Sequence, residues 1–289
     1  MNKFTFLIPV FNDWNSLNIL LNQIDNEVSN FEEQFNIIIV DDKSTVENSI
    51  NRNKFNKISL IKIIHLNKNL GSQRALAIGL KHIYIKEKKT NIILMDADGE
   101  DDPKALKKII NYSKEFPEKI ITVNRTKRNE SLIFRLMYEI HYFFTLLITG
   151  QKIRFGNYTL LRSEKLEKLF SNGDLWGAYP SAIKNNFDNI KPLYYERKKR
   201  YVDNTKMNFK NLIAHSLRII SIFKFKVFLH SIIYIIFFSS IYYFYENFLF
   251  LLPIIFLLFF NILINFLSKK NKKRYLDNYQ EFINTIEII

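Results

Sequence analysis

The sequence predicts an α/β domain with a mostly parallel sheet, followed by an amphipathic helix and a two-helix transmembrane hairpin. In residues 1–206, short β-branched and apolar runs alternate with stretches of helical periodicity, which is typical of parallel strands joined by crossover helices. Further along, residues 227–245 and 248–267 are almost wholly apolar, and each approaches the roughly 20 residues that a helix needs to cross a bilayer.

Five runs are predicted as strands and three as helices of the first domain. The strands are residues 5–10, 36–41, 58–65, 92–96 and 119–123. The helices are residues 14–28, 72–85 and 103–115. Open α/β sheets bind ligands at the carboxyl ends of their strands, so we expect the functional site at that edge.

The hairpin is predicted from two apolar segments that only Glu246 and Asn247 separate, so its two outer flanks must lie on one side of the membrane. Both flanks are rich in Lys and Arg, which by the positive-inside rule places the catalytic domain and both termini in the cytosol. Residues 209–225 show amphipathic helical spacing and are expected to lie in the headgroup plane. Two alternatives stay open: buried core helices for the hairpin, and packing on the first domain for the amphipathic helix.

The expected domains are therefore residues 1–206 for catalysis, 207–226 for the juxtamembrane helix, 227–267 for the hairpin and 268–289 for a basic cytosolic tail. The N-terminal apolar run is too short for a signal peptide, so membrane attachment is expected from the hairpin.

The composition of the chain excludes some kinds of site and favours one kind of partner. The chain has 289 residues and a net charge of +14, from 42 Lys and Arg against 28 Asp and Glu. Much of this excess brackets the hairpin, which favours a membrane surface over nucleic acid as partner. Because the chain has no Cys, disulfides, thiolate zinc sites and Cys nucleophiles are excluded.

Acidic side chains follow two of the predicted strands. Asp41 and Asp42 close the second strand, and the run 96–102, Asp-Ala-Asp-Gly-Glu-Asp-Asp, follows the fourth. In an extended segment, alternation would point Asp96, Asp98 and Glu100 to one side, which makes a site of hard oxygen ligands for Mg²⁺ or Mn²⁺. Acidic runs before helices also arise as caps, and Asp102 followed by Pro103 has the form of a helix start.

Four ordered motifs resemble glycosyltransferase family 2, which has the GT-A fold, and especially its polyprenyl-phosphate branch, similar to dolichyl-phosphate mannose synthase. They are residues 8–13 (Ile-Pro-Val-Phe-Asn-Asp), residues 40–45 (Val-Asp-Asp-Lys-Ser-Thr), residues 69–71 (Asn-Leu-Gly) with Ala75 and Gly79, and residues 96–98 (Asp-Ala-Asp). The resemblance covers about residues 4–206, and the helices that follow match bacterial members of the branch.

The resemblance implies roles for individual residues. By this resemblance, Asp98 and Glu100 would bind the metal. The candidate catalytic residues are Asp98, Arg125 and Asn157. Arg125, Arg200 and Lys206 match cations that family members aim at phosphates. The residues that match nucleotide-sugar contacts are Pro9, Phe11, Asp13, Asp41, Asp42, Gly71, Asp96 and Ala97.

Three positions depart from the family pattern. Lys43 replaces the usual Gly and Val46 the usual acid, so the base-binding loop is expected to differ. Asn157 stands where many relatives have an acid proposed as general base, and an amide cannot take a proton. A phosphate monoester is already largely dianionic near pH 7 and attacks without such a base, so Asn157 favours a lipid-phosphate acceptor.

The sequence thus predicts an inverting, metal-dependent transferase at the bacterial inner membrane. It would move a sugar from a UDP- or GDP-sugar to polyprenyl phosphate, with no nucleic-acid partner and a possible homo-oligomeric state. Two rivals stay open: a transferase with a hydroxyl acceptor, in which another acid such as Asp174 is the base, and an inactive membrane scaffold with the same fold.

Overall fold

The computed structural model describes residues 3–87, 89–126, 132–196, 198–202 and 209–289. Eight strands form one sheet: β1 (Lys3–Val10), β2 (Gln34–Asp41), β3 (Ile58–Leu66), β4 (Asn91–Leu94), β5 (Ile120–Arg125), β6 (Phe155–Arg162), β7 (Ile190–Tyr195) and β8 (Ile283–Ile288). The helices of the first 200 residues are α1 (Trp14–Glu27), α2 (Ser72–Lys86), α3 (Leu106–Glu115), α4 (Leu132–Thr149), α5 (Leu166–Leu169), α6 (Asp174–Gly177) and α7 (Tyr179–Asn186). After them come α8 (Phe209–Ile222), α9 (Lys224–Tyr245), α10 (Leu251–Ser268) and α11 (Lys273–Asp277).

The sheet has the order β7-β5-β6-β4-β1-β2-β3-β8. The pairs β1–β2, β1–β4, β2–β3 and β5–β7 are parallel, whereas β6 and β8 run antiparallel to their neighbours. This confirms the α/β fold class with a mostly parallel sheet. The five predicted strands and three predicted helices all occur, because each strand is rich in apolar residues and each helix has the helical spacing that burial on a sheet face requires.

Two apolar cores cover the two faces of the sheet and fix the strand ends in place. One core packs α1 and α3 on one face, and the other packs α2, α7 and the chain near α11 on the opposite face. Gly79 of α2 lies so close to β1 that a Cβ there would come within 2.4 Å of Leu7. The central strands are thereby rigid, and the loops at their carboxyl ends have a fixed base.

The antiparallel strand β6, which the sequence analysis did not anticipate, brings a distant segment to the site. Leu94 at the end of β4 pairs with Thr159 of β6. Because the two strands run in opposite directions, the start of β6 lies beside the end of β4. This register places Asn157 next to the acidic run that begins at Asp96.

The C-terminal segment differs from the expected basic tail. Residues 273–288 form α11 and β8, and β8 pairs antiparallel with β3 along Lys62–Leu66. Apolar side chains between the charges explain the difference: Leu276, Tyr279 and Phe282 are buried in the core on the α2 face. The sheet of the first domain therefore includes the end of the chain.

Among the described residues, two helices are long and apolar enough to cross a membrane: Lys224–Tyr245 and the segment from Phe248, with mean hydropathies of 1.8 and 2.6. In the most apolar 18-residue stretch of each helix, only 11% and 17% of the residues are buried, respectively. This disfavours the alternative of two buried core helices. Asn261 of α10 donates to Ser231 of α9 at 2.8 Å, a contact between helices of the kind expected for the polar residues of the hairpin.

Two further helices pack against the hairpin. The amphipathic α8 contacts α10 as well as α6 and α7, so it bridges the first domain and the hairpin. The second of them, α4, was not predicted from the sequence. Its Phe144 packs on Phe260 of α10, and its Leu147 carbonyl accepts hydrogen bonds from α9. An apolar stripe remains exposed on α4, formed by Leu136, Ile140, Phe143 and Leu147.

Candidate active site

Two carboxylates of the acidic run after β4 converge on one cationic group. A guanidinium nitrogen of Arg200 lies 3.0 Å from Oδ2 of Asp98, and its Nε lies 3.4 Å from Oε1 of Glu100. Both carboxylates are largely buried, with side-chain exposures of 16% and 12%. Their oxygens therefore face a single position of positive charge at the carboxyl edge of the sheet.

Residues 198–202, which we call the strap, lie across the acidic run. The amides of Lys198 and Tyr201 donate to the carbonyls of Glu100 and Asp98 at 3.2 and 3.0 Å. The Tyr201 ring covers Gly99, whose φ of 85° and lack of a Cβ make this approach possible. The backbone pairing explains how Arg200 is held over the two carboxylates.

The residues present fit a divalent cation. In the described part of the chain no three His, Cys, Asp or Glu side chains cluster as a metal cage. Mg²⁺ sites on phosphate substrates commonly use only one or two carboxylates, with phosphate oxygens and water as the other ligands. Asp98 and Glu100, which already share one cation, match that donor set.

Asp96, Asp101 and Asp102 have other partners. The Asp96 amide donates to the carboxylate of Asp101 at 3.0 Å, which shapes the turn. Asp102 accepts from the amide of Lys104 at 3.0 Å and from Nζ of Lys198 at 2.8 Å. The cap expected at Asp102 is therefore present, while Asp98 and Glu100 are the pair at the cation position.

Asn157 is buried and directly contacts the acidic run. Its Nδ2 donates to Oδ1 of Asp96 at 2.8 Å, and its Oδ1 accepts from Nε2 of Gln73 at 3.0 Å. Gln73 in turn accepts from the amide of Tyr179 at 2.7 Å. The amide of Asn157 thus satisfies two neighbours at once, which a carboxylate in the same place could not do beside Asp96.

Asp41 and Asp42 are buried and organise two loops. Asp42 accepts from the amides of Leu70 and Gly71, both at 2.7 Å. Burial raises the pKa of Asp42, and the two amide donors oppose that shift. Asp41 accepts from the amide of Ser44 at 2.9 Å and from Nδ1 of His65 at 2.8 Å.

The residues after β1 complete the edge. Pro9 is buried within the strand and Ala97 in the core, whereas Phe11 leaves 41% of its surface exposed, so its ring is accessible for stacking. Asp13 is half-buried at the start of α1, and among the described hydrogen bonds none involves its carboxylate. Phe11 and Asp13 are thus open to a ligand at this edge.

Two predicted phosphate-binding residues, Arg125 and Lys206, lie partly or wholly outside the described part of the chain. The backbone of Arg125 ends β5 beside Tyr195, and its side chain lies outside the described part of the chain. Lys206 lies outside the described residues altogether. Their roles stay predictions.

Asp174, named as an alternative base, lies in α6. Its carboxylate accepts from Asn185 at 2.8 Å, and burial raises its pKa. Lys224, at the start of α9, is among the charges that influence it. No described contact joins Asp174 to Asp96 or Asn157, which disfavours it as the base.

Four side chains at this edge escaped the sequence analysis: Gln73, His65, Lys198 and Tyr201. Gln73 follows a recognised motif by only two residues, and Lys198 and Tyr201 flank Arg200, so proximity along the chain was an available signal. His65 is the last residue of a predicted strand, and nothing in its local pattern indicates a partner on β2.

Comparison with known proteins gives a family and a fold. The profile described as Glycosyl transferase family 2 matches residues 5–187. An undecaprenyl-phosphate 4-deoxy-4-formamido-L-arabinose transferase from Klebsiella pneumoniae (strain 342) is 26% identical over 137 residues, which is 47% of this chain and 40% of the relative. The alignment thus spans less than half the length of that relative.

Among solved structures, glucosyl-3-phosphoglycerate synthase from Mycobacterium tuberculosis, in complex with Mn²⁺, UDP-glucose and phosphoglyceric acid, has a TM-score of 0.55 at 13% identity. The similarity covers 78% of this chain and 80% of that one. At such identity the likeness shows the fold, a GT-A-like α/β arrangement. Because the family profile spans more than half of the sequence, the chain belongs to glycosyl transferase family 2.

Proposed function

We propose that the chain is a membrane-anchored, inverting glycosyltransferase that moves a sugar from a UDP- or GDP-sugar to polyprenyl phosphate. The observation that carries the proposal is the pair Asp98 and Glu100, whose carboxylates converge on one cation position in the acidic run that Asn157 contacts through Asp96. The acidic pair suits a donor diphosphate that binds with a divalent metal. The neutral amide of Asn157 suits an acceptor that needs no general base.

The donor would occupy the carboxyl edge of β1, β2 and β4. Phe11 would stack on the base, and Asp13 would accept hydrogen bonds from the base or ribose. Asp98 and Glu100 would hold a divalent cation, which would supply positive charge to offset that of the departing diphosphate. The solved relative in complex with Mn²⁺ and UDP-glucose supports this type of donor.

The acceptor follows from Asn157. Both ends of its amide are engaged, so it orients Asp96 and Gln73 and accepts no proton. A phosphate oxygen of the lipid would attack the anomeric carbon as the bond from that carbon to the diphosphate oxygen breaks, with the electron pair leaving on the nucleoside diphosphate. Arg125, Arg200 and Lys206 would lower the repulsion between the two anions. Relatives that carry undecaprenyl phosphate in their names support this acceptor class.

The fold would hold the site at the membrane surface. α9 has 22 residues, so it is about 33 Å long, which matches a hydrocarbon core of about 30 Å. Because β8 returns to the same sheet as β1, the chain enters and leaves the hairpin on the same side. Seven Lys and Arg residues flank the hairpin there, which supports a cytosolic face.

A donor and acceptor screen tests the proposal. The purified protein in lipid nanodiscs is mixed with Mg²⁺ or Mn²⁺, a panel of UDP- and GDP-sugars, and either undecaprenyl phosphate or undecaprenol, and lipid extracts are analysed by mass spectrometry. We expect a glycosyl phosphate lipid with one donor and no product from undecaprenol. Transfer to a hydroxyl acceptor alone would favour the first rival, and absence of any cation-dependent nucleotide binding would favour an inactive scaffold.

The matched variants are Asp98→Asn and Asp188→Asn. Both remove one negative charge with little change in volume, but Asp188 lies exposed after α7, away from the acidic run. Loss of product only in Asp98→Asn would assign the activity to the cation site.

A further inference from the structure

The last strand of the sheet contacts the loop that follows β2. We call residues 43–48 the nucleotide loop, because it follows Asp41 and Asp42. Glu287 of β8 accepts through Oε2 from Nδ2 of Asn48 at 3.3 Å, and the same oxygen lies 3.5 Å from Nε2 of His65. Glu287 pairs in register with Ile63, which lies two residues before His65 on the same face of β3.

From His65 the contacts continue to the start of the loop. Nδ1 of His65 lies 2.8 Å from Oδ2 of Asp41, whose other oxygen accepts from the amide of Ser44 at 2.9 Å. Between them Lys43 has a φ of 65°, a conformation that a non-glycine residue adopts only when its surroundings impose it. Short polar contacts therefore link Glu287, through His65 and Asp41, to the turn at Lys43.

The opposite side of the nucleotide loop is held by the β1 end. Oδ1 of Asn12 accepts from the amide of Thr45 at 2.7 Å, and Nε1 of Trp14 donates to the carbonyl of Val46 at 3.0 Å. The loop is thus held from two directions, by the end of β1 and by β8, a strand more than 200 residues away.

We propose that Glu287 is a positioning residue for the nucleotide loop, so that the strand returning from the membrane hairpin completes the donor site. The inference rests on the proposed function, because it assigns the nucleotide to this edge. Glu287 would act through His65 and Asn48 and would not touch the donor itself.

The test uses the full chain in nanodiscs and two measurements. Hydrogen exchange in the nucleotide loop is measured without ligand, and the affinity for UDP and GDP is measured with Mn²⁺ by calorimetry. In Glu287→Ala we expect about three- to fivefold faster exchange and about three- to fivefold weaker affinity for the nucleotide that the wild type binds, the loss expected for one or two partly exposed hydrogen bonds. Glu287→Gln keeps an oxygen acceptor and should stay within about twofold of wild type.

Glu281→Ala is the matched control, because Glu281 precedes β8 and its side chain bonds only to Asn278 among the described contacts. If Glu287→Ala leaves loop exchange and affinity unchanged, or if Glu281→Ala gives the same changes, the positioning role is wrong. If the wild type binds neither nucleotide, the proposed donor class fails, while the exchange measurement still decides whether Glu287 orders the loop.

Discussion

Replacing Arg200 by Ala should tighten the binding of a divalent cation to the nucleotide-free protein. The guanidinium occupies the position at which the carboxylates of Asp98 and Glu100 converge, with contacts of 3.0 and 3.4 Å. A cation that binds there must first displace it. Removing the guanidinium removes that competition for both carboxylates.

The size of the effect follows from the exposure of the three side chains. Arg200 is 31% exposed and the carboxylates 16% and 12%, so the pairs are screened by solvent but better shielded than surface pairs. Each of the two contacts of the guanidinium contributes about 0.5–1 kcal/mol, so displacing the guanidinium costs about 1–2 kcal/mol. Arg200→Ala should therefore bind Mn²⁺ about 5- to 30-fold more tightly.

The assay is a titration of Mn²⁺ followed by electron paramagnetic resonance, without nucleotide. Lys198→Ala is the control, since it removes a positive charge from the same strap but pairs with Asp102, outside the cation position. We expect the control to change the affinity less than about threefold. Unchanged or weaker Mn²⁺ binding by Arg200→Ala would refute the assignment of the cation position.

Three further predictions follow from single side chains. Asn157→Asp would place a second carboxylate against Asp96, so we expect the free energy of unfolding to fall by about 2 kcal/mol at pH 7. This loss should shrink towards pH 5, where one of the two acids takes up a proton, and sugar transfer should not increase. Thermal melts check the stability, and product yields check the transfer. Burial lowers the pKa of His82 to about 4 from 6.5, so the unfolded state binds the extra proton between these values. The free energy of unfolding should fall by about 3 kcal/mol as the pH drops through that window, at about 1.4 kcal/mol for each pKa unit. His82→Gln should flatten this dependence in melts at pH 7 and 4.5, and equal slopes in both proteins would contradict it. Lys43→Gly should raise the free energy of unfolding by about 0.5–1 kcal/mol, because glycine adopts the φ of 65° without strain, and a lower melting temperature would contradict this reasoning.

The parts of the fold that the sequence predicts are those with a local physical signature. The runs that became β1, β2 and β4 are almost wholly buried on both faces, and such burial requires nearly continuous apolar residues, whereas β3 at the side of the sheet exposes Ser59. The hairpin is equally local, because its length and composition are set by the bilayer. The acidic run directly after β4 indicates the cation position through the rule that ligands bind at strand ends.

The parts that the sequence analysis missed depend on contacts between distant segments. β8 pairs with β3 across more than 200 residues, and its short alternating pattern follows a run of Lys that suggests a solvated tail. Asn157 reaches Asp96 only because β6 runs antiparallel beside β4, a direction that no local pattern reveals. The apolar spacing of α4 was visible, but Arg135 and Glu139 interrupt it, so its composition does not require a membrane crossing.

The most direct test of the account compares sugar transfer to undecaprenyl phosphate by the wild type, Asp98→Asn and Asp188→Asn in nanodiscs with Mn²⁺. We expect a glycosyl phosphate lipid of inverted anomeric configuration from the wild type and Asp188→Asn. Asp98→Asn should give at least 100-fold less, which corresponds to an activation barrier that is higher by about 3 kcal/mol or more. Equal yields from wild type and Asp98→Asn, or a product of retained configuration, would contradict it.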